Sequence, residues 1–192
     1  VKLRFVILFL LALSLMLAAI PAMAQDVYDN GPVNGEVGAW PINVPYAVSD
    51  SFYLSSSSML VQMNFWAWLT PGDTITSVVV QFGSNGPLSF NLDTLTVPLT
   101  QSNCFLNGVG TGFMVCQESG SFTGPALGAG EYWVTLSQAQ SGSPVYWDQN
   151  SGVGCISSGC PSTASVLVTT VATIPSEAFT MGGVAFSKGS AR

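Results

Sequence analysis

The sequence predicts an all-β fold, a two-sheet antiparallel sandwich of jelly-roll-like type, and three observations carry that prediction. Beyond residue 24, short runs rich in β-branched and aromatic residues alternate apolar with polar at a period of two. Clusters of Gly, Pro, Asn and Ser punctuate these runs at short intervals. No segment there repeats apolar residues at i, i+3, i+4 and i+7 for long enough to make an amphipathic helix.

Residues 1–24 stand apart from that pattern. Lys2 and Arg4 precede an apolar run over 5–20, and Ala22 and Ala24 supply the small residues before a cut. This is the anatomy of a secretory signal peptide cleaved after Ala24. The competing reading, a retained membrane anchor, needs about 20 apolar residues, and the run has 16. The expected organisation is therefore a signal peptide over 1–24, one β-sandwich domain over 25–186, and a flexible tail over 187–192.

Strands are expected at 45–54, 58–69, 74–83, 88–99, 105–117, 131–138, 143–148, 165–171 and 177–186. In 58–69, Val61, Met63, Phe65, Ala67 and Leu69 fall on one face, with Gln62, Asn64, Trp66 and Trp68 on the other. Pro71-Gly72-Asp73 and Ser84-Asn85-Gly86-Pro87 turn the chain on either side of 74–83. In 88–99, Phe90, Leu92, Leu95 and Val97 are expected to face inward. Gly108-Val109-Gly110, Gly128-Ala129-Gly130 and Ser141-Gly142-Ser143 mark later turns.

Charge excludes several functions. Only 7% of the 192 residues are charged and none is His, while aromatics reach 11%, too many for a solvated tail. All ten acids follow Ala24, and only Lys188 and Arg192 then remain as bases, a net charge of −8 for the cleaved chain. No base lies between residues 25 and 187, so salt bridges cannot organise the domain. A nucleic-acid surface and a polybasic membrane patch are excluded, as are Ser-His or Cys-His catalysis and His-ligated metals.

The four cysteines fall in two local pairs, Cys104 with Cys116 and Cys155 with Cys160. In an oxidising, exported setting these spacings favour two disulfides in those pairings. A four-thiolate zinc site is the competitor, but its short C-x2-C knuckles are missing.

Several phrases carry a resemblance. They are Val27-Tyr28-Asp29-Asn30-Gly31-Pro32, Val48-Ser49-Asp50-Ser51-Phe52-Tyr53-Leu54, Leu127-Gly128-Ala129-Gly130-Glu131-Tyr132-Trp133-Val134, Tyr146-Trp147-Asp148-Gln149-Asn150-Ser151-Gly152 and Ile174-Pro175-Ser176-Glu177-Ala178-Phe179-Thr180. Together the chain resembles exported bacterial β-sandwich proteins of the PEP-CTERM or choice-of-anchor type. The resemblance implies an extracellular β-sandwich without assigned catalytic residues. The chain departs from that type in lacking Pro-Glu-Pro and a second hydrophobic segment, so free secretion is expected over anchoring.

Three candidate chemistries remain. A carboxylate pair for hydrolysis at low pH would come from Glu118, Glu131, Asp148 and Glu177, but no two stand at i, i+2 on one strand. Asp148 and Asn150 place oxygens at alternate positions as a calcium loop does, although Val153 and Gly159 occupy its Gly and Glu positions. Asp26, Asp29, Asn30 and Glu36 form a second oxygen-rich group. The competing reading of both groups is that Asp and Asn build turns. Trp40, Trp66, Trp68 and Trp147 are candidate stacking platforms for sugar rings, against the alternative that they are buried in packing. The expectation is a secreted, non-catalytic surface or matrix module contacting neutral glycans or extracellular proteins. It needs no cofactor, contacts no nucleic acid, and has no membrane contact once the signal is removed. The alternative is a secreted acid-active hydrolase.

Overall fold

The structure is a computed structural model and describes residues 24–35, 38–108, 110–167 and 170–186. The expected signal peptide up to residue 23, Glu36 and the expected tail over 187–192 lie outside the described residues, as do all four bases, Lys2, Arg4, Lys188 and Arg192.

Fourteen strands make two antiparallel sheets, with no helix among the described residues. The eight-stranded sheet contains β1 (Gln25–Asp29), β2 (Ala39–Pro41), β4 (Ser58–Leu69), β7 (Thr100–Leu106), β8 (Met114–Ser121), β9 (Ala126–Leu127), β11 (Tyr146–Asp148) and β14 (Phe179–Ala185). The six-stranded sheet contains β3 (Ala47–Leu54), β5 (Ser77–Gly83), β6 (Asp93–Pro98), β10 (Gly130–Gln140), β12 (Ala164–Leu167) and β13 (Val171–Ile174), in the order β13-β12-β3-β10-β5-β6. The chain crosses repeatedly between the sheets, as the sandwich class requires.

Strand β4 organises the larger sheet. One of its edges pairs with β14 and, further along, with β11; the other pairs with β8 and β9. Its inward residues Leu60, Met63, Phe65 and Leu69 meet Val48, Phe52, Val80, Phe82, Val134 and Leu136 from the other sheet, all nearly inaccessible. With no base among the described residues to form charge pairs, this burial is their principal stabilising term, about 1.5–3 kcal/mol per large side chain.

The alternation of β4 breaks once. Gly182 pairs with Gln62 while Gly183 pairs with Leu60, so Val61 is an extra residue in a bulge. The bulge lets Leu60 and Met63 both face inward and leaves Val61 half-buried, correcting its expected inward position. A matching irregularity in β1 leaves Val27 extra between Asp26 and Tyr28. Its methyls lie 3.1 Å from where a Cβ on Gly183 would be, so the glycine makes room for this close approach.

Other expectations need correction. The strand expected over 105–117 is the hairpin of β7 and β8, because Gly110 and Gly112 take positive φ and Asn107 N–H bonds Phe113 O at 3.0 Å across the turn. The run 165–171 divides into β12 and β13 for pairing with each other. Only the second half of 88–99 is strand, as β6. Residues 84–92 instead cross the outer face of the six-stranded sheet, where Leu88 N–H donates to Ser49 Oγ at 3.2 Å. Phe90 and Leu92 are consequently 45% and 37% exposed rather than buried. A Cβ on Gly83 would lie 2.0 Å from Ser89 O, so this crossing requires glycine there.

Both disulfides form in the expected pairings. Cys104 bonds Cys116 across the β7–β8 hairpin, and Cys155 bonds Cys160 within a loop that reaches Tyr53 on the outer face of β3. This chemistry is compatible with an extracellular protein. Among the described residues no helix is long and apolar enough to cross a membrane.

Candidate functional site

The outer face of the eight-stranded sheet carries, around Trp66, polar side chains and a second ring, Phe105. Gln62, Asn64 and Trp66 alternate with inward Met63, Phe65 and Ala67 on β4, and all three outward residues are half-buried. Register places Thr180 of β14 and Ser119 of β8 beside Asn64, and Gln117 beside Trp66. Asn64 Nδ2 donates to Thr180 Oγ1 at 3.0 Å, Gln62 Nε2 to Asn64 Oδ1 at 3.3 Å, and Asn103 Nδ2 to Gln117 Oε1 at 2.7 Å. The Phe105 ring, 38% exposed, lies 6.0 Å from that of Trp66. These amides and hydroxyls are held in place by each other, a preorganised set of neutral donors and acceptors.

The other candidate tryptophans do not share this setting. Trp147 is inaccessible, packed edge-on against Phe65 and Phe179 with Nε1–H on Ala178 O at 3.2 Å. Trp40 pairs with Trp147, so its side chain takes the same inward side and packs against the core. Trp68 shares the outer face with Trp66 but is only 6% exposed; its ring lies near Phe113 and its Nε1–H donates to Asp148. As open platforms, Trp40, Trp68 and Trp147 are corrected; Trp66 keeps that geometry.

The calcium candidates serve the fold instead. Asn150 Nδ2 donates to Asn30 O at 2.6 Å and Glu177 O at 3.0 Å, while its Oδ1 accepts from Gly152 N–H at 3.1 Å. Asp148 accepts from Trp68 and from the backbone of Gly35 and Asn34. Asp29 likewise caps a turn at Gly31 N–H, 2.9 Å away. Among the described residues no three His, Cys, Asp or Glu side chains gather to hold a metal.

Four carboxyls are fully enclosed: Asp50, Glu118, Asp148 and Glu177; Glu131 is exposed. Asp50 was invisible as a candidate, yet it centres the largest polar network. It lies on the inward face of β3 in phase with Val48 and Phe52, a phase that could have exposed it. Its Oδ1 accepts from Ser51 N–H at 2.7 Å and from Ser162 Oγ; its Oδ2 accepts from Glu177 N–H at 2.7 Å, Asn30 Nδ2 at 3.3 Å and Ser176 Oγ at 3.4 Å. Asn30 Oδ1 in turn accepts from Tyr28 OH at 2.8 Å and Ser162 N–H at 3.1 Å.

Burial raises every one of these acids. Asp50 and Asp148 are each pushed up to about 7 by loss of water, against the hydrogen bonds they accept. Glu118 reaches about 8 from burial alone, with neither oxygen hydrogen-bonded. Glu177 rises well above the usual range through burial and then through repulsion from Asp50 and Asp148. With no base among the described residues, neutralisation by proton is how such groups are accommodated.

The chain matches no known protein family and none of the curated proteins compared with it.

Proposed function

We propose that this is an exported, non-catalytic β-sandwich that binds neutral glycans through the outer face of its eight-stranded sheet, centred on Trp66. The observation that carries this reading is one half-exposed indole flanked by Gln62, Asn64, Gln117 and Thr180. An indole face stacks on the C–H face of a sugar while fixed amides and hydroxyls bond its hydroxyls. The lack of any base among the described residues argues against anionic ligands. Export after cleavage at Ala24 is supported by β1, which begins at Gln25 by pairing with Gly183, and by the two disulfides. A surface or matrix location, of the kind the resemblance implies, is part of the same proposal.

The test is a glycan array followed by affinity measurements on Trp66→Ala. Loss of a stacked ring should cost on the order of 1–3 kcal/mol, about five- to a hundredfold in Kd. Glycan binding that survives Trp66→Ala unchanged would remove this face as the site.

A further inference from the structure

We propose that Asn30 and Ser176 condense spontaneously into an intramolecular ester, tying the end of the first strand to the segment that enters the last. The parts of an acyl transfer are already assembled in the enclosed network. The nucleophile is the Ser176 hydroxyl, which accepts from Asn30 Nδ2 at 2.6 Å and so lies beside the amide carbon it would attack, while Nδ2 also donates to Glu177 O at 2.7 Å. The amide oxygen is held by two donors, Tyr28 OH at 2.8 Å and Ser162 N–H at 3.1 Å, positioned to stabilise an oxyanion. One carboxylate oxygen, Asp50 Oδ2, reaches both the attacking hydroxyl at 3.4 Å and the departing nitrogen at 3.3 Å.

The step balances without any co-reactant. Ser176 Oγ bonds Asn30 Cγ as its proton passes to Asp50 Oδ2, and the carbonyl electron pair moves onto Oδ1. Collapse of that tetrahedral centre breaks Cγ–Nδ2, and Asp50 returns the proton to the nitrogen, which leaves as ammonia. Asp50 ends as it began, and the product is one ester. Asn30 is inaccessible and Ser176 is 7% exposed, so the bond forms where water has little access to hydrolyse it. The linkage joins residues 146 positions apart, closing almost the whole domain into one covalent ring.

Peptide mapping of the full exported chain decides the matter. After reduction of the disulfides, pepsin digestion at low pH should release a linked pair carrying Asn30 and Ser176, lighter by one ammonia and separated by hydroxylamine. Ser176→Ala and Asp50→Asn should yield no linked pair, and Tyr28→Phe should slow its formation by about a hundredfold. Whole-protein mass alone is insufficient, since cyclisation of an N-terminal Gln25 or a succinimide at Asn30-Gly31 also sheds ammonia. Unlinked Asn30 and Ser176 peptides from folded wild-type protein would overturn the proposal. So would ammonia loss confined to the Asn30 peptide, or a linked pair that persists in Ser176→Ala.

Discussion

Replacing Glu118 by Gln should make the domain more stable at alkaline pH and leave it almost unchanged at acid pH. Glu118 faces inward beside Phe65, hydrogen-bonded through neither oxygen, and burial alone lifts it from 4.5 to about 8. A raised carboxyl favours the folded state below its unfolded value and loses that advantage as pH climbs through the folded value. The wild type should therefore lose roughly 1.4 kcal/mol per pH unit to this group between about pH 5 and 8, a ceiling near 5 kcal/mol. Turning the carboxylate toward water takes up part of that, so a gain of at least 2 kcal/mol for the variant at pH 9 is the expected result. The amide is isosteric and meets the same apolar surroundings as the neutral acid, so the two proteins should agree within about 1 kcal/mol at pH 5. Urea denaturation followed by tryptophan fluorescence, repeated from pH 5 to 9, reads the difference directly. A constant offset between the two proteins over that range would refute the reasoning, since it would mean that Glu118 carries its charge in the fold at no cost.

Asp50, Asp148 and Glu177 share the sign of Glu118, so the wild-type Tm should be highest in mild acid and fall steadily toward pH 9; a maximum at alkaline pH in a thermal scan would contradict this. Trp147→Ala should cost about 3–5 kcal/mol by opening a core cavity, and Trp66→Ala under about 1 kcal/mol, as measured by denaturation. Gly83→Ala drives a methyl onto Ser89 O and should cost at least about 2 kcal/mol, with faster proteolysis in 84–92; wild-type stability would mean that the loop does not rest there. Heparin-like and nucleic-acid probes should show no salt-sensitive binding on a biosensor surface.

Much of the fold was legible because large residues alternate where strands are long. The bounds of β4 follow from the run 58–69, and both cysteine pairings follow from local spacing. What escaped is what depends on distant partners. Phe90 and Leu92 are out of phase with Leu95 and Val97, so the alternation already breaks within 88–99; where 84–92 then goes is decided by the positive φ of Leu88 and its bond to Ser49, which periodicity does not carry. Trp66 and Trp68 share one face by alternation, yet only the latter is covered, by Phe113 and by backbone from residues 34 and 35 binding Asp148. Periodicity assigns a side chain to a face; it does not say what else lies on that face. The network around Asp50 was hidden for a related reason. It draws on residues 30, 162, 176 and 177, which lie far from residue 50 in the chain and whose local patterns do not point to it.

The loop over 84–92 and the disulfide loop at Tyr53 lie on the outer face of the six-stranded sheet, while the opposite broad face, around Trp66, stays open. A sandwich blocked in this way would offer the proposed glycan site on one side alone. On a long polysaccharide it would sit along one chain and coat it, leaving neighbouring strands of polymer free to slide. Gelling or bundling such a polymer would require two copies joined back to back, and the gain in avidity would then be set by how those copies are tethered.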